Sequence, residues 1–191
     1  MAILPRFLRR APEAAVAEGL YDAVVAQARQ PAFYRDGGVP DTVHGRFELI
    51  GLHAFLLLRR LKDGGDAGKA LAQAVYDHMF DDMDRSLREL GVGDLGVGKR
   101  VKKLAQHFYG CIGAYEVGLD QGDAVLEDAL ARNLYGTDDR TPAPKALAAM
   151  TGYMRREAAS LAAQPFADLA GGTLAWGPPP AFEPAAAEVQ V

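Results

Sequence analysis

Asp81-Asp82-Met83-Asp84-Arg85-Ser86-Leu87-Arg88-Glu89-Leu90 runs into Gly91-Val92-Gly93-Asp94-Leu95-Gly96-Val97-Gly98, and the chain resumes as Lys99-Arg100-Val101-Lys102-Lys103. Two nucleotide patterns overlap in the glycines: Gly91 to Gly96 fits G-x-G-x-x-G, and Gly93 to Lys99 fits G-x-x-x-x-G-K. Either pattern needs a strand before the glycines and a helix after them, so that backbone N–H groups meet phosphate at a helix N-terminus. What precedes them has the period of a helix instead: Leu71, Val75, Met79, Met83, Leu87 and Leu90 recur at steps of three and four. Arg100 stands where a phosphate loop needs Ser or Thr to hold magnesium. The glycines therefore read as a connector between two long helices, and the fold as all-α.

Outward from the connector the same period persists. Val101, Leu104, Phe108, Ile112 and Tyr115 mark a helix over 97–119, and the preceding one is expected over 67–90, with Asp66 a candidate N-cap and Gly91 its C-cap. Val43, Phe47, Ile50, Ala54, Leu57, Leu58 and Leu61 mark a third over 43–62, started by Pro40-Asp41-Thr42. Leu49, Leu52 and Leu56 widen its stripe until it is apolar on most sides, which places it near the centre of a bundle. Helices are also expected over 13–29, from Asp123 through Tyr135, and over 145–163. The expectation is one domain, a bundle of about six helices over 13–164. Residues 1–12 are expected to be flexible. An irregular tail is expected over 165–191, with disorder from Gly177-Pro178-Pro179-Pro180 onward.

At 191 residues the chain is long enough for a sizeable core. A formal net charge of -4 argues against a general nucleic-acid binder and against DNA, so any anion site must be local. Cys111 is the only cysteine, which excludes an internal disulfide and a multi-thiolate zinc cluster, and it reads as a buried, inert thiol. No stretch is long enough to span a bilayer; the longest apolar run, Leu49 to Leu58, contains His53. The first ten residues lack the apolar core and small-residue cleavage site expected of a secretory signal, although Ile3, Leu4, Phe7 and Leu8 among Arg6, Arg9 and Arg10 could rest on an anionic membrane surface. The cytoplasm is the expected compartment, with peripheral contact at the inner membrane.

Candidate chemistry is sparse. Asp82 and Asp84 begin a D-x-D pattern, but Leu87 and Gly93 stand where a calcium loop requires Gly and Glu. His78 and Asp82, four apart on one helix face, are the pairing considered for a transition metal, and His53 reads as a hydrogen-bonded core histidine. No nucleophile–base arrangement is legible, and neither cofactor nor resident metal is assigned. The basic side of the connector says more. Lys99, Arg100, Lys102 and Lys103 crowd a helix N-terminus, where each cation opposes the macrodipole at a cost of roughly 0.3–1 kcal/mol. Either a hairpin brings Asp81 and Asp84 opposite Lys103 and His107 so that the clusters pair, or the lysines are solvated, or they await an acidic protein, RNA or anionic lipid.

Four blocks resemble the ubiquinol–cytochrome c chaperones, in the form of a bacterial member. They are Phe33-Tyr34 with Gly38 to Thr42 and Gly45-Arg46-Phe47; Leu52-His53 with Leu58 to Leu61; Met79 to Glu89 with Val97 to Lys103; and Ala114 to Leu119 with Leu126 to Tyr135. Together they fall within residues 21–155. Ala114-Tyr115-Glu116 departs from the mitochondrial pattern, which carries an Asp-Glu pair after the tyrosine, so no role is carried over to Glu116.

The resemblance implies a non-enzymatic assembly chaperone for the cytochrome bc complex that binds newly made cytochrome b or another subunit. It also implies work with a small partner subunit near the ribosome. Three charged blocks become candidate partner surfaces: Asp41, Thr42 and Arg46; Asp81, Asp82, Asp84 and Arg85; and Lys99, Arg100, Lys102 and Lys103. Two other function classes remain beside it: a ribosome- or RNA-contacting module resting on the lysines, and a metal- or haem-handling protein resting on His53, His78 and Asp82.

Overall fold

The computed structural model describes residues 10–136 and 142–182. Among them there is no strand, and six helices have eight residues or more: α1 (Arg10–Ala28), α3 (Val43–Lys62), α4 (Gly65–Glu89), α5 (Asp94–Gln121), α6 (Asp123–Leu130) and α7 (Pro144–Ala163). Two short ones, α2 (Pro31–Arg35) and α8 (Phe166–Ala170), fill corners. Alpha geometry stops at Leu130, and a π-helical turn over Ala131–Tyr135 completes the helix expected through Tyr135. The N-terminal segment 1–9 and residues 183–191 of the expected tail lie outside the described residues.

The helix that is apolar on most sides is central. α3 touches α1, α4, α5, α7 and the π turn, and it supplies side chains to both halves of the core. Leu49, Leu52, Phe55 and Leu56 face α5, α6 and α7, while Phe47, Leu57, Leu58 and Leu61 face α1 and α4. Polar ends are tied as well. Arg60 donates through Nε to Leu161 O (2.8 Å) and through its terminal nitrogen to Gln164 O (2.7 Å), a cation held at the C-terminus of α7.

The connector does what its glycines imply. Gly91 has φ +83°, its N–H reaches Arg88 O (2.9 Å), and Val92 N–H reaches Leu87 O (3.1 Å), so α4 ends in a Schellman motif. Gly93 is extended and precedes α5, and Gly96 and Gly98 are helical. A helix, not a strand, delivers the chain to these glycines. At two other helix starts a glycine, not the acid that follows it, stands at the cap. Asp66 lies inside α4, whose N-cap is Gly64, and Asp123 is the first residue of α6 after Gly122. In both cases a glycine supplies the turn and leaves the acid to favour the helix N-terminus by its charge.

Thr42 caps α3 as expected, its hydroxyl accepting from Gly45 N–H at 3.0 Å. The chain bends so tightly there that a Cβ on Gly45 would stand 2.1 Å from Pro40 O. Gly45→Ala is therefore expected to cost roughly 1–3 kcal/mol, because backbone rather than a flexible side chain must yield. Urea denaturation checks this, and a loss below that range would mean the turn is soft.

Residues 166–182, the short α8 and the irregular stretch after it, are not loose. Leu169 is fully buried, and Leu174, Trp176 and Phe182 pack against the core. The packed body thus extends past the boundary expected at residue 164. The reason is side-chain anchoring of a segment that has no helical period.

Candidate functional site

The three charged blocks take different positions. Asp41 and Arg46 pair with each other at 2.6 Å, both more than half exposed, across the turn that Thr42 caps. Arg46 holds the Asp41 carboxyl below its ordinary range through that hydrogen bond. The block is a local brace around the start of α3, weakened by solvent screening as an exposed pair.

On α4, Asp82 and Asp84 find cationic partners within their own helix. Asp82 accepts from Tyr21 Oη of α1 at 3.1 Å and pairs with Arg85 at 3.6 Å. Asp84 pairs with Arg88 at 2.5 Å, and Arg88 also reaches Asp94 at the start of α5. Spacings of three and four along one helix thus outcompete pairing across the connector. Asp81 is exposed and makes no ion pair among the described residues.

Lys99, Arg100, Lys102 and Lys103 are all exposed, and none makes an ion pair among the described residues. Of the alternatives open in the sequence, the approach of Asp81 and Asp84 to Lys103 and His107 does not occur, and His107 lies against Glu48 of α3 at 2.7 Å. These four cations lie in the second and third turns of α5, behind Asp94 in its first turn, and are left facing solvent. Farther along α5, Tyr109 and Val117 are 59% and 45% exposed.

The residues considered for a metal are otherwise engaged. His53 is fully buried: Nδ1 lies 2.7 Å from Leu49 O, which can only accept, so Nδ1 carries the proton and Nε2 accepts from Tyr153 Oη at 2.7 Å. Burial lowers its pKa to about 4, so it is a neutral core histidine. His78 packs edge-on against Tyr21, the residue that also bonds Asp82.

A different cluster comes together between α3 and α5. His44 and Glu48 lie one turn apart on α3, and His107 and Cys111 one turn apart on α5. Glu48 Oε1 stands 2.7 Å from His107 Nε2 and 3.5 Å from His44 Nδ1. Cys111 Sγ is 3.8 Å from Glu48 Oε2 and 3.4 Å from His107 Nε2. Glu48 is 3% exposed and its Oε1 accepts no hydrogen bond: the His107 contact is short but misaligned for one. Burial pushes the Glu48 carboxyl up to about 8 and the Cys111 thiol up to about 12. Cys111 is buried as expected, yet it is not alone. The signal for these four was two residue pairs spaced by four, a His with an acid and a His with the thiol, on helices separated by the whole of α4. Glu116, left without a role above, pairs with Arg59 of α3 at 3.0 Å.

Residues 35–176 match the family described as ubiquinol-cytochrome C chaperone, about three quarters of the chain. The chain belongs to the ubiquinol–cytochrome c chaperone family. Among solved structures it is similar to the Cbp3 homolog from Brucella abortus, with 40% sequence identity, a TM-score of 0.77, and coverage of 90% of this chain and 95% of that one. Among curated proteins it is 26% identical over 140 residues to ubiquinol-cytochrome-c reductase complex assembly factor 1 of Xenopus laevis, covering 72% of this chain and 68% of that protein. It is also 26% identical over 160 residues to the Homo sapiens assembly factor, 83% of this chain but 53% of that protein. The chain thus spans about half to two thirds of these longer relatives. The family match begins in α2 and ends at Trp176, so it takes in α3 to α8 and half of the segment anchored beyond Pro165. No helix among the described residues is long and apolar enough to cross a membrane.

Proposed function

We propose that this chaperone-family member is a non-enzymatic assembly factor for the ubiquinol–cytochrome c reductase complex, and that it holds newly made cytochrome b or another subunit of that complex. It would act in the cytoplasm at the inner membrane, with a small partner subunit or the ribosome nearby. The observation that carries the reading, beyond family membership, is the unpaired basic patch in the second and third turns of α5. Lys99, Arg100, Lys102 and Lys103 stand exposed without an ion pair among the described residues, while Asp82 and Asp84 are paired within α4. Charge kept at such a place suits an acidic partner segment, steered by a field and docked beside the exposed Tyr109. Asp81, Asp82, Asp84, Arg85 and the Asp41–Thr42–Arg46 brace are assigned secondary places around that contact.

Two readouts test it. Deleting the gene is expected to lower membrane cytochrome c reductase activity and cytochrome b content, and normal levels would remove the assembly role. In the native host, Lys102→Glu with Lys103→Glu is expected to leave stability within about 0.5 kcal/mol, since both are exposed. The same change should slow client capture on the order of tenfold, more steeply at low salt. Capture unchanged by the reversal would move the client surface elsewhere. Loss of salt-dependent ribosome cosedimentation, with client capture intact, would favour the ribosome as the partner of these lysines.

A further inference from the structure

We propose that His44, Glu48, His107 and Cys111 form a site for one divalent transition-metal ion of zinc type, clamping α3 to α5. Ligand spacing is the first support. Ligands bound at about 2.0 Å (N, O) and 2.3 Å (S) around a tetrahedral ion stand about 3.3–3.6 Å from one another. The observed separations are 3.4 Å for Cys111 Sγ to His107 Nε2, 3.5 Å for His44 Nδ1 to Glu48 Oε1, and 3.8 Å for Cys111 Sγ to Glu48 Oε2. To admit the ion, the 2.7 Å between Glu48 Oε1 and His107 Nε2 must open by a fraction of an ångström, and the half-exposed His44 must swing inward to join the other three. Among the described residues, Glu48, His107 and Cys111 are the group of three donor side chains whose ligand atoms all lie within 4.8 Å of one another.

The donor set and its surroundings agree with the spacing. Each helix presents two donors one turn apart, so a single ion would be gripped from both sides without any loop rearranging. One thiolate and one carboxylate balance a divalent charge, and mixed sulfur, imidazole and carboxylate donors suit zinc or cobalt rather than magnesium or calcium. Glu48 gives the independent sign of a missing ligand: a carboxylate 97% withdrawn from solvent, with Oε1 lacking a donor, aimed between two imidazoles. A cation there would compensate the burial that otherwise disfavours its charge. His44 and His107 side chains are 51% and 40% exposed, so the ion would have an entry path while Glu48 and Cys111 close the floor. The competing account is a buried Glu48–imidazolium pair with no metal.

The test uses the full-length chain, stripped with chelator and titrated with cobalt(II) and then zinc(II). One equivalent of cobalt is expected to bind, with intense d–d bands of four-coordinate geometry and a thiolate-to-cobalt charge-transfer band, both bleached by zinc. Zinc is expected to raise the melting temperature in proportion to occupancy. Cys111→Ser should abolish the charge-transfer band, and His44→Ala, at an exposed position that threatens the fold least, should weaken binding on the order of 100-fold. His107→Gln should do the same. A folded wild-type chain that binds no cobalt at one equivalent overturns the site in favour of the ion pair. Unchanged affinity in both Cys111→Ser and His44→Ala overturns it in favour of metal bound elsewhere.

Discussion

Replacing His53 with leucine is expected to lower the unfolding free energy at neutral pH by roughly 2–4 kcal/mol. The volume is nearly conserved, so the loss comes from polar groups, not a cavity. Tyr153 Oη donates to His53 Nε2 at 2.7 Å and accepts from Gln27 Nε2 at 2.9 Å, and Gln27 Nε2 also donates to Gly177 O at 2.9 Å. This chain of hydrogen bonds joins α1, α3, α7 and the C-terminal segment, and every role in it is fixed by Leu49 O at the far end. Removing the imidazole leaves a buried hydroxyl proton without an acceptor. Tyr153→Phe makes the converse error, stranding Nε2, and the double variant should show a coupling of about 0.5–3 kcal/mol. Additive single effects would mean that the network contributes only packing.

The same imidazole sets a pH dependence. Its pKa is about 4 in the folded chain against 6.5 in the unfolded one, because the site is dry and faced by Tyr153, Phe33 and Trp176 rings rather than by a carboxylate. The nearest charges reach it only through Tyr153, whose ring carries Arg156 over its face and has Glu157 beside it. A depressed histidine pKa means that the unfolded chain takes up the proton first as pH falls. Stability from this group is therefore whole above about 6.5, drains as pH falls, and is spent near 4. Between pH 7 and 5 the wild type should lose roughly 2 kcal/mol that His53→Leu does not lose. Glu48, pushed up to about 8, acts with the opposite sign over much of that range, gaining stability as pH falls. The readout is thus the difference between the two chains, not the slope of either. Parallel slopes would show that His53 is already solvated in the native state.

How much of this was legible follows from the range over which each signal acts. The six longer helices and the centrality of α3 come from apolar side chains repeating every three or four residues, a pattern the backbone period itself creates. The Gly91 end of α4 was legible too, since a left-handed residue after a helix selects glycine. The charge clusters were visible but not their partners: Arg85 and Arg88 sit three and four residues from Asp82 and Asp84, and so compete before the hairpin closes. The His44–Glu48–His107–Cys111 cluster depends on which faces of α3 and α5 meet, a register that no local pattern states. Composition did not show how far the packed segment runs before the tail begins. Three prolines in a row exclude a helix, but they do not exclude docking of an extended chain through its backbone.

That docked segment carries the second large effect. Trp176→Ala is expected to cost roughly 3 kcal/mol, near the lower end for truncating a buried aromatic because the indole is only partly covered. Its ring meets His53 edge-on at 5.2 Å and an interplanar angle of 85°, closing the dry side of the imidazole. The flanking backbone is held on both sides. Gly177 N–H donates to the fully buried Glu157 Oε2 at 2.8 Å, Ala175 N–H to Gln164 Oε1 at 3.0 Å, and Gln164 Nε2 returns a bond to Ala175 O at 2.8 Å. Arg156 donates to Glu157 Oε1 at 2.9 Å and also reaches Pro178 O. Glu157 thus depends on Gly177 for one of its two partners, and a Cβ on Gly177 would come within 2.5 Å of Glu157 Oε1. Loss of the indole should loosen the segment as a unit, so limited proteolysis is expected to cut between 171 and 182 in the variant while sparing the wild type. Wetting of the His53 site should follow, and the variant's His53-dependent pH slope should shrink with it. A Trp176→Ala chain as stable and as protease-resistant as the wild type would return this segment to the solvated tail that its composition suggests.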